Sequence, residues 1–288
     1  MNALVFGEVL WDVYSNSKHL GGAPLNFASH FKKNGGESWI ITAVGNDFLG
    51  HQTVDEIEKM GVHTEYVTYK DKETGKCIVT LDNNQIPTYD LLNYVAYDYI
   101  DKPDFTADRY DVLYFGTLSL RNENNKNVLK QIISENVFED IFVDMNIRSP
   151  YYCKEVINLA FENATIVKLS DEELPVVFEQ INSYDLSIEG SVRIISDKYK
   201  NLKLIIITCG AEGSLVYDCI NKKTYKQKAQ KVEAVSTVGA GDSFSASFLA
   251  RYLKSDNIAS ALDIATKISG YVVSCTEAIP DYDMNDFD

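Results

Sequence analysis

The sequence lacks the patterns that mark most cysteine and histidine sites. Its 288 residues contain five cysteines, with no C-x-x-C pair, and four scattered histidines, with no H-E-x-x-H. Neither a disulfide framework nor a zinc site is therefore expected. The pattern favours reduced thiols in a cytoplasmic protein.

Basic charge is scarce as well, and no apolar run is long. Lys and Arg number 27 against 42 Asp and Glu, which gives a formal net charge of -15. A surface of this charge repels the phosphates of nucleic acids and of anionic lipids, so neither is expected as a partner. No apolar stretch approaches the length that spans a bilayer, and the N-terminus has no basic region before its apolar residues, which argues against a signal peptide.

Short apolar runs alternate with longer amphipathic segments along most of the chain. The runs are continuous, which is typical of strands covered on both faces. The alternation predicts a three-layer α/β protein in which helices cover both faces of a mainly parallel sheet. Strands are predicted at Leu4–Phe6, Trp39–Val44, Val112–Phe115, Ile141–Val143, Ile166–Leu169 and Leu204–Ile207, and helices at about 24–34, 47–60, 122–137, 151–162, 187–200, 241–254 and 257–275.

Two regions interrupt this alternation. Residues 64–100 are rich in Thr, Tyr and Val, and together with residues 9–20 they predict short antiparallel strands outside the main sheet. A small β-sheet beside a parallel sheet would suit a lid, although an ordinary edge hairpin gives the same pattern. Because we find no repeat or low-complexity linker, we predict one domain over residues 1–288, with lid strands from about 9–20 and 64–100.

The most informative segment is the loop Gly239-Ala240-Gly241-Asp242, which an apolar helix follows. Small residues at a helix start leave the first amides bare, and those amides form an anion site together with the helix dipole. The chain has no G-x-x-x-x-G-K-[ST], so this is not a P-loop. It is not a dinucleotide loop either, because Phe244 stands where the third glycine would be.

Asp242 would repel a phosphate unless it has a chemical role there. The role that fits is general base, taking the proton of a hydroxyl as its oxygen attacks phosphorus. A terminal phosphoryl group held by the amides, with Asp242 facing the hydroxyl, is the geometry of a kinase. The loop alone leaves one alternative open, a helix N-terminal carboxylate that only interacts with the dipole.

The chain resembles the PfkB, or ribokinase-like, carbohydrate kinases over almost its whole length, and especially bacterial fructokinase-like members. The resemblance implies a ribokinase-like α/β/α fold with a small β-sheet lid. The segments that carry it, in the order of the family, are Gly7–Asp12, Gly21–Ala28, Ala43–Gly50, Thr74-Gly75, Tyr94–Asp98, Asp144–Pro150, Val167–Ser170 with Glu173, Thr208–Gly213 and the phosphate loop.

The resemblance implies an ATP-dependent sugar kinase that uses Mg²⁺. The D-x-N-x-R-x-P segment that begins at Asp144 favours fructose or 2-keto-3-deoxygluconate, and fructose is our expectation. Ribose, a nucleoside and a sugar phosphate are alternative acceptors, and a sugar- or nucleotide-binding regulator without catalysis is the alternative from another class. Related kinases often dimerise through their lids, which the exposed lid edges here would suit.

The resemblance also assigns roles to single residues. Asp242 would be the base, and the amides of Gly239, Ala240 and Gly241 would hold the transferring group. Glu173 would serve Mg²⁺, directly or through water. The implied acceptor residues are Asp12, Gly22, Asn26, Tyr94 and Arg148, and the implied nucleotide residues are Lys168, Thr208, Gly210, Gly213, Gly239 and Gly241.

Taken without the resemblance, several of these residues have plainer explanations. Asp12 and Asn26 suit turn or cap positions, and Gly22 suits any tight turn before a helix. Arg148 could form a surface ion pair, and Glu173 could be a solvated carboxylate at a helix start. The residue patterns alone leave both explanations open for each of them.

Three positions depart from the family pattern. Ser236 stands where many members have an aspartate that helps hold a monovalent cation, which argues against potassium activation. Ser170 replaces the asparagine of an N-x-x-E motif and keeps a hydroxyl without the amide. The segment Cys275–Ala278 replaces a common Gly-Ala pair in a loop that often lies near adenine, so the adenine contacts are not implied.

Overall fold

The structure, a computed structural model, describes residues 1–81, 87–105, 110–181, 183 and 187–287. Its strands are β1 (Asn2–Phe6), β2 (Leu10–Val13), β3 (Lys18–Gly21), β4 (Glu37–Gly45), β5 (Val67–Lys70), β6 (Lys76–Leu81), β7 (Pro87–Leu91), β8 (Val112–Gly116), β9 (Asp140–Asp144), β10 (Ile166–Ser170), β11 (Leu204–Thr208), β12 (Ser214–Asp218) and β13 (Lys223–Gln227). Its helices are α1 (Ala23–Lys33), α2 (Phe48–Lys59), α3 (Glu123–Glu135), α4 (Lys154–Asn163), α5 (Leu174–Ile181), α6 (Ile188–Lys198), α7 (Ala240–Ser255) and α8 (Ile258–Val273).

The central sheet has nine strands in the order β13-β12-β11-β10-β9-β8-β1-β4-β5. From β11 to β5 all neighbours run parallel, whereas β12 and β13 add an antiparallel edge. The mainly parallel α/β/α fold predicted from the sequence is therefore confirmed. Since parallel strands end at the same edge, the carboxyl ends of β1, β9, β10 and β11 lie side by side.

Two apolar layers cover the faces of this sheet. On β1, Leu4 and Phe6 point to the layer formed by α3–α6, while Ala3 and Val5 point to the layer formed by α1, α2, α7 and α8. All four side chains are fully buried. Such two-sided burial explains why these strands are continuous apolar runs in the sequence.

A second sheet, the lid, has four strands in the order β3-β2-β6-β7. It contains one parallel pair, β2 with β6, between two antiparallel pairs. The predicted lid range 64–100 was too broad, because β5 belongs to the central sheet and Ala96–Tyr99 is a 3-10 turn. Helix α2 carries the chain from β4 to β5, and such a crossover favours a parallel neighbour of β4. Residues 82–86 of the predicted range lie outside the described residues.

The edges of the lid are β3 and β7, and their outer sides have no strand partner in the described residues. Pairing of two copies through these edges stays a prediction, as does the single-domain organisation. Within the described parts of the chain, no helix is both long and apolar enough to cross a membrane.

Candidate active site

The carboxyl edge of the parallel strands gathers most of the residues that the sequence singled out. Glu8 follows β1, Asp144 ends β9, and Thr208 ends β11. Ser170 ends β10 and pairs in register with Thr208, and Glu173 follows three residues later. The N-terminus of α7, with Asp242 in its first turn, faces the same edge, as its contacts below show.

The phosphate loop enters α7 through Gly239, whose φ of 79° lies in the left-handed region that favours glycine. A Cβ atom at this position would lie 2.5 Å from the carbonyl oxygen of Ala278. The Ala240 amide donates a long bond of 3.3 Å to the carbonyl of Thr237. By helix geometry the amides of the first turn point outward, as an anion site requires.

Asp242 contacts a residue that is distant in sequence. The side-chain amide of Asn26, on α1, donates to Asp242 Oδ2 at 2.7 Å. Burial, followed by the charge of Asp144, raises the pKa of Asp242 to about 6, against the lowering effects of Asn26, Lys168 and Arg148. Asp242 can therefore be ionised at neutral pH and still accept a proton.

A buried ion pair lies beneath the phosphate loop. Lys168 Nζ lies 3.0 and 2.9 Å from the two carboxylate oxygens of Asp144, and Ser245 Oγ donates to Asp144 Oδ2 at 2.9 Å. A Cβ at Gly241 would lie 3.3 Å from Lys168 Nζ, which places the ammonium directly against the loop. Burial acts to lower the pKa of Lys168, but the charges of Asp144, Glu173 and Asp242 outweigh it and the pKa is raised.

Glu173 is held by backbone amides rather than by cations. Its Oε1 accepts from the amide of Ile147, and its Oε2 accepts from the amide of Ser170 at 2.7 Å. Burial raises its pKa, while the charge of Lys168 and the two amides oppose the rise. The described residues contain no group of three or more His, Cys, Asp or Glu side chains that could hold a metal by themselves. A carboxylate in this setting fits Mg²⁺ that is bound mainly by water and phosphate oxygens.

The residues predicted to bind the acceptor divide into two groups. Gly22 has a φ of 109°, and a Cβ there would lie 2.5 Å from the carbonyl oxygen of Glu8, so the turn needs glycine. Asp12 pairs in register with Cys77 of the lid. Burial raises the pKa of Asp12 and of Asp242, and the charge of the exposed Arg148 opposes both rises. These residues and Asn26 surround one region beside the phosphate loop.

Tyr94 forms the other group. It follows β7, has a φ of 60°, and leaves 74% of its side chain exposed. No contact between the described residues joins Tyr94 to Asp242 or to Asn26. A role in acceptor binding for Tyr94 therefore stays a prediction from the resemblance.

Two of the predicted nucleotide residues, Gly210 and Gly213, follow β11. Gly210 has a φ of 50° and has nothing within 4 Å of an added Cβ, so it faces open space. Gly213 has a φ of 108°, and a Cβ there would lie 2.1 Å from the carbonyl oxygen of Gln227. The hydroxyl oxygen of Ser236, the residue that departs from the family pattern, accepts a hydrogen bond from the amide of Val238 at 3.3 Å.

Several residues of the site were not assigned from the sequence. They are Asp144 and Ser245 beneath the phosphate loop, and Glu8 with Arg121 near the predicted acceptor residues. Asp144 had a detectable signal, because it is a charged residue directly after the predicted strand Ile141–Val143, and Lys168 is a charged residue inside the next predicted strand. Glu8 and Arg121 gave no comparable signal, since neither has a spacing that indicates a contact.

Comparisons with known proteins agree with this geometry. The chain is 24% identical to the ATP-dependent 6-phosphofructokinase of Thermoanaerobacterium thermosaccharolyticum, over 97% of this chain and 90% of the relative. An uncharacterized sugar kinase of Pyrococcus horikoshii, solved in complex with ATP, superposes with a TM-score of 0.83 at 24% identity, over 99% of this chain and 96% of that one. The fructokinase of Vibrio cholerae, solved with fructose, ADP and calcium, gives a TM-score of 0.81 at 21% identity, over 96% and 94% of the two chains.

The family model for pfkB family carbohydrate kinases matches residues 2–284, nearly the whole chain. The fold agrees with that match. The protein is thus a phosphotransferase that acts on an alcohol group of a sugar. The chain belongs to the pfkB family of carbohydrate kinases.

Proposed function

We propose that this protein transfers the γ-phosphate of ATP to a hydroxyl of a free sugar, with fructose as the acceptor. The observation that carries the proposal is the position of Asp242 in the first turn of α7, between the amides of the phosphate loop and Asn26. A carboxylate beside a phosphate site can take part in the reaction as a base that receives the proton of the acceptor hydroxyl.

In the proposed reaction, the acceptor oxygen forms a bond to the γ-phosphorus while the bond between this phosphorus and the β,γ-bridging oxygen breaks. The proton of the acceptor hydroxyl passes to Asp242, and ADP leaves. Asn26 fixes Asp242 Oδ2, so the carboxylate keeps one orientation toward the hydroxyl. The amides of Gly239, Ala240 and Gly241 would stabilise the charge on the transferring group, and Lys168 would add a positive charge beneath them.

Magnesium would be held near Glu173, through water, together with the phosphate oxygens of the nucleotide. When bound, Mg²⁺ supplies charge neutralisation to the phosphates. The residues of the chain supply the rest of the chemistry: they orient the acceptor, receive its proton, and exclude water when the lid closes.

The choice of fructose rests on the segment that begins at Asp144 and on the resemblance to fructokinases. 2-Keto-3-deoxygluconate, ribose and nucleosides remain alternative acceptors. The phosphofructokinase relative specifically favours a second candidate, a sugar phosphate. A regulator that binds sugar or nucleotide without catalysis would release no ADP.

An ADP-release assay should therefore show turnover with ATP, Mg²⁺ and free fructose. The panel should include 2-keto-3-deoxygluconate, ribose, a nucleoside and fructose 6-phosphate, each with and without K⁺. Because Ser236 replaces an aspartate, we expect K⁺ to change the rate less than twofold. The proposed acceptor is wrong if another member of the panel has a higher kcat/KM than fructose, and the kinase assignment is wrong if no acceptor releases ADP.

Replacing Asn26 with Ala should move the acid limb of the pH–rate profile to higher pH. In the wild type, the rate should rise through about pH 6 as Asp242 ionises, because only the ionised form is a base. The Asn26 hydrogen bond lowers the pKa of Asp242, so its loss raises that pKa and delays ionisation. The measurement is kcat against pH from 5 to 9, and an unmoved limb would contradict the pairing of these residues in catalysis.

A further inference from the structure

Glu8 is a buried carboxylate with no part in the mechanism above. It follows β1 at the carboxyl edge, its side chain is 2% exposed, and its Oε2 has no hydrogen-bond partner among the described residues. The carbonyl oxygen of Glu8 lies against the Gly22 turn, because a Cβ atom added to Gly22 would be 2.5 Å from that oxygen. A charged group is costly to bury without a partner, so its presence beside the predicted acceptor residues calls for a reason.

The surroundings of Glu8 are polar but do not neutralise it. Ser119 Oγ lies 3.5 Å from the Cβ position of Gly7, and this hydroxyl, like the hydroxyl of Tyr97, has no partner in the described parts of the chain. Arg121 lies over the Tyr97 ring, with 5.0 Å between the guanidinium carbon and the ring centroid.

Arg121 is already committed to a different carboxylate. Its Nε and Nη2 donate to the two oxygens of Asp98 at 2.7 and 2.9 Å, and Nη2 also donates to the carbonyl of Leu92. The two side chains are 6% and 3% exposed, so their charges cancel inside the protein. Glu8 has no ion-pair partner among the described residues, so in its ionised form its negative charge is offset only by the charges of Arg148 and Arg121.

The charge balance of the acceptor region is negative as a result. Glu8 and Asp12 are acidic, and Arg148 is the one cation in this region, among the described residues, that has no recorded ion pair. Binding a phosphate group normally takes charge-assisted hydrogen bonds from several cations or amides. A second phosphate placed here would meet more negative than positive charge.

We propose that Glu8 is a specificity-determining residue that restricts the acceptor to uncharged sugars, by repelling the phosphate of a sugar phosphate. The inference rests on the proposed function and narrows its acceptor class. Glu8 acts through its field and need not touch the acceptor, because the charges of Asp242 and Arg148 both act on it across the same region.

The ionisation of Glu8 sets the conditions of the test. Burial raises its pKa to about 7, a backbone hydrogen bond within Glu8, Arg148 and Arg121 lower it, and Asp242 raises it, while the charge of Glu8 in turn raises the pKa of the uncharged Tyr97. Glu8 is therefore mostly ionised at pH 8 and mostly neutral at pH 6. Repulsion of an anionic acceptor should be strongest at the higher pH.

The test compares kcat/KM for fructose and for the fructose monophosphate that leaves the reacting hydroxyl free (the 6-phosphate if O1 reacts, the 1-phosphate if O6 reacts) at pH 8 in the wild type and in Glu8→Gln. If the wild type prefers another free sugar, that sugar and its monophosphate replace the pair. We expect the wild type to have the higher kcat/KM for the free sugar. In the variant the ratio of the two kcat/KM values should fall about tenfold, mainly because kcat/KM for the phosphate rises. A purely structural role would lower both values together.

Asp140→Asn is the matched control. Asp140 is another buried carboxylate, but it begins β9 at the opposite edge of the sheet and is paired with Lys203 at 2.8 Å. Its replacement should lower the melting temperature and leave the preference unchanged. Removing the buried charge of Glu8, whose Oε2 has no partner among the described residues, should instead leave the melting temperature equal or higher.

A measurement on the wild type alone covers the case in which Glu8→Gln does not fold. A fructose sulfate ester that leaves the reacting hydroxyl free keeps one charge between pH 6 and 8. Asp242, with a pKa of about 6, is already mostly ionised at pH 7, so a change in preference between pH 7 and 8 reports Glu8. The preference for fructose over the sulfate should rise severalfold across this range. Three results would overturn the proposal: an unchanged preference for the free sugar in Glu8→Gln, a preference that stays flat from pH 6 to 8, or a wild type that prefers the phosphate. Absence of all turnover would instead overturn the proposed function.

Discussion

Replacing Asp242 with Asn should lower kcat by roughly 10²- to 10⁴-fold while ATP binds almost as before. The asparagine amide keeps the shape of the carboxylate but cannot take the acceptor proton at neutral pH. Its oxygen can still accept the bond from Asn26, so the geometry of α7 should persist. Turnover is measured by ADP release, and ATP affinity by calorimetry on the same preparation.

The control for this variant is Asp256→Asn, at the other end of the same helix. Asp256 is exposed and caps α7 with a φ of 48°, a conformation that Asn also adopts readily. Its replacement should leave kcat unchanged. Because Asp242 lies near Asp144, its own replacement should not lower the melting temperature, and near-normal turnover in Asp242→Asn would rule out the base assignment.

The sequence predicted the central sheet where burial on both faces leaves a continuous apolar run. Leu4–Phe6 lies within β1, Trp39–Val44 lies within β4, and the helix predicted at 241–254 is α7 within one residue. These elements carry their own signal, because neighbours on both faces demand apolar side chains at every position. The loop before α7 was equally visible, since its small residues stand directly before a helix.

Other elements could not be predicted because they depend on their neighbours. The Thr-, Tyr- and Val-rich composition of β5 is common to strands of either sheet, and only its connection through α2 places it beside β4. Helix α5 has eight residues and contains Val176 and Val177, which favour strands as single residues. Strand β13 is paired on one side only and has no fully buried residue, so it shows no apolar run.

The contacts of the site depend on topology in the same way. Asn26 and Asp242 are 216 positions apart, and their hydrogen bond exists because α1 and α7 pack on the same face of the sheet. Lys168 and Asp144 face each other because β9 and β10 are neighbours in a fixed register. A sequence shows which residue types stand at strand ends, but the order of the strands decides which of them meet.

Replacing Lys168 with Met should lower the free energy of unfolding by about 3–5 kcal/mol and abolish most turnover. The change removes the cation of a buried pair, whose side chains are 8% and 2% exposed for Lys168 and Asp144. The carboxylate of Asp144 keeps only the hydroxyl of Ser245 as a recorded side-chain donor in the described structure. Stability is measured by urea unfolding with a linear extrapolation.

The matched control for the loss of a lysine charge is Lys200→Met. Lys200 pairs with Asp197 at 3.1 Å, but these side chains are 69% and 74% exposed, so water screens the pair. Its removal should change the free energy of unfolding by no more than about 0.5 kcal/mol. If Lys168→Met lowered the free energy of unfolding by as little as Lys200→Met, Asp144 would not be left as an uncompensated buried charge.

The double variant Lys168→Met with Asp144→Leu separates stability from catalysis. Removing both charges replaces a buried ion pair with apolar side chains, which is often neutral or stabilising, so most of the lost stability should return. Turnover should not return, because the positive charge against Gly241 is still missing from beneath the phosphate loop. Loss of the Asp144 charge, the larger of the two effects, should lower the pKa of Asp242, while loss of the Lys168 charge acts in the opposite direction. Recovery of both stability and kcat in the double variant would mean that Lys168 serves only to neutralise Asp144.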